Sequence, residues 1–327
     1  MHAIIATAAG GPDVLDLIEV DDPAPGPRDL LVRTVAAGVN FIDTYRRAGV
    51  YPMTYPHVVG SEGAGEVVAV GSQVEGFAVG DLVAWADAPS SYAELVVVPA
   101  RAALPVPARV DPVVAAALPL QGMTAHYLVA STFPVSEGQE VLVHAGAGGV
   151  GLLLTQLAVA RGARVISTVG TPEKEELARA AGASDVIRYT ELQDLTEELP
   201  AIVRGLTGGK GVHTVFDGVG KSTFDASLAS LRPRGGLALF GGASGQVPPF
   251  DPQLLNRAGS VFLTRPTLAH YTASVEETRW RSGELFAAVA DGTLDVRIGA
   301  QYPLEEAAEA HRALEGRETT GKVVLVA

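Results

Sequence analysis

The segment His144-Ala145-Gly146-Ala147-Gly148-Gly149-Val150-Gly151 constrains this chain more than any other. The apolar run Val141-Leu142-Val143 leads into it, and a stretch with helical character, residues 150–160, follows it. A strand, a glycine turn and a helix in that order is the setting in which Gly-x-Gly-x-x-Gly wraps the pyrophosphate of a dinucleotide. Gly146 is expected to permit a tight turn, Gly148 to let the main chain approach the phosphates without a Cβ, and Gly151 to bring helix and strand close. The phosphates would then meet free N–H groups at a helix N-terminus. In a chain with 37 glycines the motif alone says little, and its flanks give it weight. Gly146, Ala147, Gly148, Gly149, Val150 and Gly151 are therefore candidate coenzyme contacts.

The surrounding texture separates into two parts. Short apolar runs at 4–8, 15–20, 30–35, 65–70, 82–86 and 92–98 are broken by Gly, Pro and Asp, which reads as a β-rich, barrel-like domain. From Pro119 onward, apolar strands at 141–145, 164–169, 185–189, 214–217, 237–241 and 261–264 alternate with helical or polar segments. That alternation predicts a doubly wound parallel α/β sheet of about six strands. A helix (274–290), an extended run (294–298), a helix (304–314) and a strand (322–326) come after this complete nucleotide-binding unit and are expected to return to the first domain. The expected division is 1–122 with 267–327 as one discontinuous domain and 123–266 as the other, which suits a chain of 327 residues.

Composition removes several function classes. The net charge of −13 disfavours nucleic acid or an anionic membrane as partner, because either needs a broad Lys/Arg field. With no cysteine, disulfides and thiolate metal sites are excluded. The seven histidines (2, 57, 126, 144, 213, 270 and 311) show no short-spaced pair of the kind that binds a metal. His144, at the end of an apolar run, reads as a satisfied core histidine. No signal peptide or run of about 18 apolar residues is present, so the expected location is the cytoplasm.

The strand ends carry the remaining coenzyme candidates. An NAD-specific site needs an Asp or Glu about 20 residues past the glycines to hold the ribose 2′-hydroxyl. Here Val169-Gly170-Thr171 stands at that place. With no carboxylate to repel a 2′-phosphate, and with Lys174 and Tyr189 near the adjacent strand tips, the expected coenzyme is NADPH, held also by Gly170 and Thr171. Val219, Phe240 and Gly241 follow the fourth and fifth strands, and Thr264 and Arg265 end the sixth, so all five are expected to line the crevice at the strands' carboxyl ends.

Gly138-Gln139, Leu142, Gly146-Ala147-Gly148-Gly149-Val150-Gly151 and Gln156 resemble the quinone oxidoreductase signature of the medium-chain dehydrogenase/reductase superfamily, with Val159 a departure from it. Ala36 through Tyr45, Gly60-Ser61-Glu62-Gly63-Ala64-Gly65, Thr168-Val169-Gly170-Thr171, Phe216-Asp217-Gly218-Val219-Gly220, Thr264-Arg265-Pro266 and Thr320-Gly321-Lys322 resemble the same family's segments in the same order. The resemblance implies a GroES-like catalytic domain beside the Rossmann domain, adds Lys322 to the coenzyme contacts, and implies a homodimer joined by an edge strand. Residues 235–243 and 247–250 are the apolar candidates for that edge.

Zinc alcohol dehydrogenases of this superfamily place a Cys and a Gly-His-Glu where this chain has Asn40 and Ser61-Glu62, so the resemblance implies a metal-free enzyme. Without a Lewis acid, the chemistry suits an acceptor that is already activated, a quinone or an enone. Tyr45 is expected to be the main donor to the developing oxyanion, with Asn40 holding the nicotinamide ribose or substrate and Glu62 assisting by a hydrogen bond. Asp43 and Glu62 read as structural carboxylates rather than bases. An enone or alkenal C=C reductase, and an NADPH-binding sensor or structural protein with little turnover, are the alternatives.

Overall fold

The computed structural model describes residues 1–327, which divide into two compact units: 1–123 with 272–327, and 124–271. The chain forms β1 (His2–Ala6), β2 (Leu15–Glu19), β3 (Asp29–Val39), β4 (His57–Val58), β5 (Glu62–Val70), β6 (Leu82–Trp85), β7 (Leu95–Pro99) and β8 (Leu104–Pro105) in the first unit. The second unit contributes β9 (Glu140–Val143), β10 (Arg164–Val169), β11 (Asp185–Arg188), β12 (Val212–Asp217), β13 (Leu231–Leu239) and β14 (Phe262–Thr264). The chain then returns to the first unit with β15 (Ile298–Pro303) and β16 (Lys322–Val326). No helix is long and apolar enough to cross a membrane.

In the first unit a three-stranded sheet runs β2-β1-β4, and a larger one runs β15-β16-β3-β5-β6-β8, with β7 also on β3. β3 explains why the sequence pattern was incomplete. Its first half alternates, with Leu30, Val32 and Thr34 inward, as a half-covered strand does. Its second half, Ala36-Ala37-Gly38-Val39, is buried throughout, with β16 and β5 along its edges and the helix Pro112–Ala117 packed against β3. Small residues without alternation are thus held in a strand by their neighbours rather than by propensity. The extended run expected at 294–298 instead begins at Ile298, where pairing with β16 starts. One core of this unit gathers Ile4, Val39, Tyr92, Leu304 and Leu325, and another gathers Leu30, Val67, Trp85 and Val98.

The second unit is a six-stranded, all-parallel sheet ordered β11-β10-β9-β12-β13-β14, the doubly wound order with its reversal at β9. Leu142, Ile166, Val215 and Leu237 pack under the helices Leu195–Leu206 and Phe224–Ser230. The residues expected to form a free edge, 235–243, lie instead in and just after β13, between β12 and β14. The actual edges are β11 and the three-residue β14.

The glycine turn also differs in detail from expectation. The left-handed residue is Ala145, with φ +53°, and Gly146 has no positive φ. Gly146 is required for another reason: a Cβ there would lie 1.7 Å from the buried Ser167 Oγ on β10. A Cβ on Gly151 would strike the Ala145 carbonyl at 2.3 Å, so this glycine lets the helix Gly149–Ala160 start close to the turn. Gly148 faces only the Ala145 carbonyl, at 3.2 Å, and leaves its outer side open. Gly146→Ala should therefore lower stability by about 1–3 kcal/mol through overpacking. Gly148→Ala should cost less than about 1 kcal/mol, the loss of a favourable N-cap glycine. Urea midpoints of the two variants against the parent check the contrast.

Candidate functional site

β3 ends in Gly38-Val39-Asn40, and Asn40 begins the helix Phe41–Arg47. Asp43, in the first turn, accepts the Asn40 main-chain N–H at 3.0 Å, while Arg46 and Arg47 occupy the last turn, so the short helix carries charges that complement its dipole. Pairing of β3 with β5 puts Gly38 opposite Glu62, and β16 delivers Lys322 from its first position. A Cβ on Gly38 would lie 2.2 Å from Glu62 Oε2 and 2.9 Å from Lys322 Cε, so only glycine leaves room for the pair.

Lys322 Nζ donates to Glu62 Oε2 at 2.5 Å and to Asn40 Oδ1 at 2.7 Å, with Lys322 1% and Glu62 0% exposed. Asn40 Nδ2 donates to Glu62 Oε2 at 2.7 Å and to the Gly38 carbonyl at 3.3 Å. Glu62 Oε1 accepts the Leu120 N–H at 2.7 Å, at the start of the helix that begins with Pro119.

Two sequence expectations change here. Both N–H bonds of the Asn40 amide are already given, so it has none left to donate to an oxyanion. Lys322 is not presented as a free cation for a phosphate, because its ammonium is sealed against Glu62 and Asn40.

A second polar chain runs beside the first. Ser61 Oγ donates to Asp43 Oδ1 at 3.0 Å and accepts from Arg46 at 2.5 Å. Burial pushes the Asp43 carboxyl up to about 6, against the opposing pull of the Ser61 and Asn40 bonds and the Arg46 and Lys322 charges. Arg47, 2% exposed, gives one N–H to His311 Nδ1 at 2.9 Å and another to Glu315 at 2.8 Å. Because guanidinium only donates, His311 Nδ1 must accept, so Nε2 carries the hydrogen and donates to the Tyr92 hydroxyl at 3.2 Å. Tyr92 then donates to Asp43 Oδ2 at 3.3 Å. Burial, then the Arg47 charge, holds His311 down at about 3, in keeping with a neutral ring. Burial and the Asp43 charge push the Tyr92 phenol up.

Tyr45 sits half-buried on the same helix as Asp43, with its ring 6.1 Å from Phe41 and 6.2 Å from Tyr51. Tyr51 is partly exposed, and its place beside Tyr45 follows from the turn in which the Val50 and Tyr51 N–H groups bond to the Tyr45 carbonyl. The sequence reading missed Tyr51, which lies outside any motif.

In the second unit the coenzyme candidates collect at one edge of the sheet, the carboxyl ends of its strands. Gly146 to Gly151 follow β9, Gly170 and Thr171 follow β10, and Tyr189 follows β11. Val219 follows β12, Phe240 and Gly241 follow β13, Thr264 ends β14 and Arg265 follows it. No side chain caps the helix Gly149–Ala160, whose first N–H groups have no intrahelical acceptor. Thr171 caps the helix Pro172–Ala180 by accepting the Lys174 N–H at 3.3 Å, and the Tyr189 hydroxyl lies over Gly170. Of the acids around Lys174, Glu175 is paired with Arg179 and Arg188. Arg265 is exposed.

Gly218 and Gly241 serve each other first, since a Cβ on Gly241 would lie 2.2 Å from the Gly218 carbonyl. Asp217, which the sequence marks only as part of a family-like segment, shapes this loop by accepting the Val219 and Gly220 N–H groups at 2.8 and 3.0 Å. Its other oxygen accepts from Thr223 and Ser227, and Ser227 in turn bonds His144 Nε2 at 3.0 Å. His144 is a core histidine, lowered by burial.

An uncapped glycine N-terminus with an open face at Gly148, and a β10 end without carboxylate, fit a dinucleotide that bears a 2′-phosphate. A catalytic zinc does not fit the first unit. At the positions where zinc alcohol dehydrogenases carry ligands, Asn40 and Glu62 are bonded to an ammonium and Ser61 to Asp43. No cluster of three or more metal-ligating side chains occurs.

His311 makes a pH test. Its folded value of about 3 lies below the ordinary imidazole value of 6.5, so between the two the unfolded chain binds a proton that the folded chain does not, and acid favours unfolding. Relative to His311→Gln, the parent should lose up to about 1.4 kcal/mol of stability per pH unit below 6.5. Denaturation at pH 5 and pH 7 measures the difference, and equal slopes would contradict the neutral buried imidazole.

Comparison with known proteins gives matches to two family models, "Zinc-binding dehydrogenase" over residues 149–277 and "Alcohol dehydrogenase GroES-like domain" over residues 26–108. A quinone oxidoreductase of Pseudomonas aeruginosa is 44% identical over 321 residues, 98% of this chain and 97% of that one. A 2-haloacrylate reductase from a Burkholderia species is 42% identical, covering 99% of this chain and 98% of that one. A mycobacterial protein solved in complex with NADPH superposes with a TM-score of 0.97 at 52% identity, with both chains covered completely.

Proposed function

We propose, from the premise that this chain belongs to the quinone oxidoreductase family of the medium-chain dehydrogenase/reductases, that it reduces quinones with NADPH and without a metal. The observation that carries this reading is the Lys322 ammonium on Glu62 and Asn40, a fixed internal cation where a Lewis-acid metal would need ligands. An alcohol substrate would have nothing to polarise its oxygen, whereas a quinone takes electrons onto its own oxygens.

NADPH, when bound, supplies a hydride and needs its reactive face held against the acceptor at about 3–3.5 Å. The N–H groups from Gly148 to Gly151 bind the pyrophosphate, and Lys174 and Tyr189 take the 2′-phosphate beside Gly170 and Thr171. Thr264, Arg265, Val219 and Phe240 hold the remainder from the neighbouring strand ends. The unit of residues 124–271 is thus the coenzyme domain, and the unit with Tyr45 is the catalytic one. Tyr45 donates to the acceptor oxygen that gains charge and passes it a proton, while Phe41 and Tyr51 give flat aromatic faces beside it. Asn40 fixes the helix that carries Tyr45. A reducing compartment such as the cytoplasm suits a chain without cysteine.

Reduction of an activated C=C bond is the second reading, supported by the 2-haloacrylate reductase relative. NADPH oxidation against benzoquinone, naphthoquinone, an enone and 2-chloroacrylate separates the two, with the quinones expected at the highest kcat/KM and NADH a poor substitute. Tyr45→Phe should lower kcat by about 100-fold, the lower range for loss of a general acid, with Kd for NADPH unchanged. Unchanged turnover would remove Tyr45 from the mechanism.

The chain also forms a homodimer in this reading, through β14 rather than residues 235–243. β14 has one strand neighbour, and its Phe262 is 61% exposed, whereas the opposite edge strand β11 ends in the ion-paired Arg188. Light scattering should give a dimer for the parent and a monomer for Phe262→Lys, and a monomeric parent would end the dimer proposal.

A further inference from the structure

Gly170, at the tip of β10, is required for space rather than for backbone freedom. It has no positive φ, so its main chain would accept any residue. β10 and β11 run parallel with Val169 opposite Arg188 as their last pair, and the chain leaves the two strands at Gly170 and Tyr189. Thr190 Oγ1 donates to the Gly170 carbonyl at 2.8 Å and ties the two tips together. A Cβ on Gly170 would lie 2.7 Å from the Tyr189 hydroxyl oxygen and 3.1 Å from its Cζ, so the phenol rests against the bare Cα. The atoms that a side chain at 170 would strike are the far end of a flexible tyrosine, which can swing away without disturbing the sheet.

Val169-Gly170-Thr171 stands where an NAD-type site keeps its acid, and two of the three positions are committed. Val169 is 2% exposed, and the Thr171 oxygen accepts the Lys174 N–H. Gly170 is the position that remains, and the phenol already occupies its outer side. The neighbouring Arg188 is paired with Glu175 at 3.2 Å and Glu191 at 2.8 Å. We propose that Gly170 is a positioning residue that sets the preference for NADPH over NADH, seating the Tyr189 phenol at the tip of β10 where it meets the 2′-phosphate and leaves no place for a carboxylate. The inference rests on the coenzyme assignment above and deepens it. A phenol donates to a phosphate oxygen and carries no charge to repel it, whereas an acid in the same place would accept from a 2′-hydroxyl and repel a phosphate.

Gly170→Ala tests this, with adenosine 2′,5′-bisphosphate and AMP as probes that carry only the adenosine half of the coenzyme. Calorimetric titration should show the bisphosphate and NADPH bound about tenfold more weakly than by the parent, the lower range for one hydrogen bond to a charged group. AMP and NADH, which lack the 2′-phosphate, should bind within about twofold of their parent values. Tyr189→Phe should show the same selective loss. The double variant should lose no more than either single one, because both substitutions act through one hydroxyl.

A bisphosphate Kd in Gly170→Ala equal to the parent's overturns the inference. So does an equal loss for AMP, the mark of a strand tip distorted as a whole. Losses that add in the double variant also overturn it, since Gly170 would then act apart from the phenol. A parent protein that binds the bisphosphate no more tightly than AMP overturns the 2′-phosphate assignment itself, and the parent's own titration distinguishes that failure from the others.

Discussion

The buried pair Lys322–Glu62 is the constraint on which the first unit is organised. A charge with almost no exposure must be matched and hydrogen-bonded, and here each partner has further bonds: Glu62 also accepts from Asn40 and Leu120, and Lys322 also donates to Asn40. Three strands and the start of a helix converge on this one contact, so it sets where β3 ends and where the helix Phe41–Arg47 begins. Gly38 is the steric condition for it. Loss of either charged partner would strand the other in the interior, at a cost of about 3–5 kcal/mol.

The neighbouring chain from Glu315 through Arg47, His311 and Tyr92 to Asp43 follows the same logic with a defined proton on every link. Arginine cannot accept, which fixes the histidine tautomer. The histidine then donates to the phenol, and the phenol donates to the carboxylate. The helix with Tyr45 is therefore held from both ends, by Asn40 and Asp43 at its start and by Arg47 at its finish. Under the mechanism proposed for Tyr45, such a rigid mount would hold its hydroxyl in one place.

Much of this could be read from the residues in order. The glycine turn, the six parallel strands and the absence of an acid after β10 are local patterns, and they were legible because strand, turn and helix each leave a periodic or compositional trace. What was not legible depends on distant partners. Nothing near Asn40 reveals that a lysine 282 positions away takes its oxygen, and nothing near Lys322 reveals that Glu62 lies opposite a glycine. Tyr51 lies outside any motif and comes beside Tyr45 only through a tight turn. Gly146 was located correctly but for the wrong reason. Its neighbour Ala145 makes the left-handed step, and Gly146 clears Ser167, a collision that becomes visible only when β10 lies beside β9. The edge of the parallel sheet was misplaced because apolar character does not distinguish an inner strand from an outer one.

The route of the chain gives β16 a particular importance. Because this strand follows the entire second unit, a polypeptide emerging from the ribosome can finish its parallel sheet while the first unit still lacks the partner for Glu62, 260 residues earlier. Until then a carboxylate and a row of unpaired β3 main-chain groups wait for a strand not yet made. Folding of that half is consequently gated by the order of synthesis, and shielding by a chaperone would matter most in this interval.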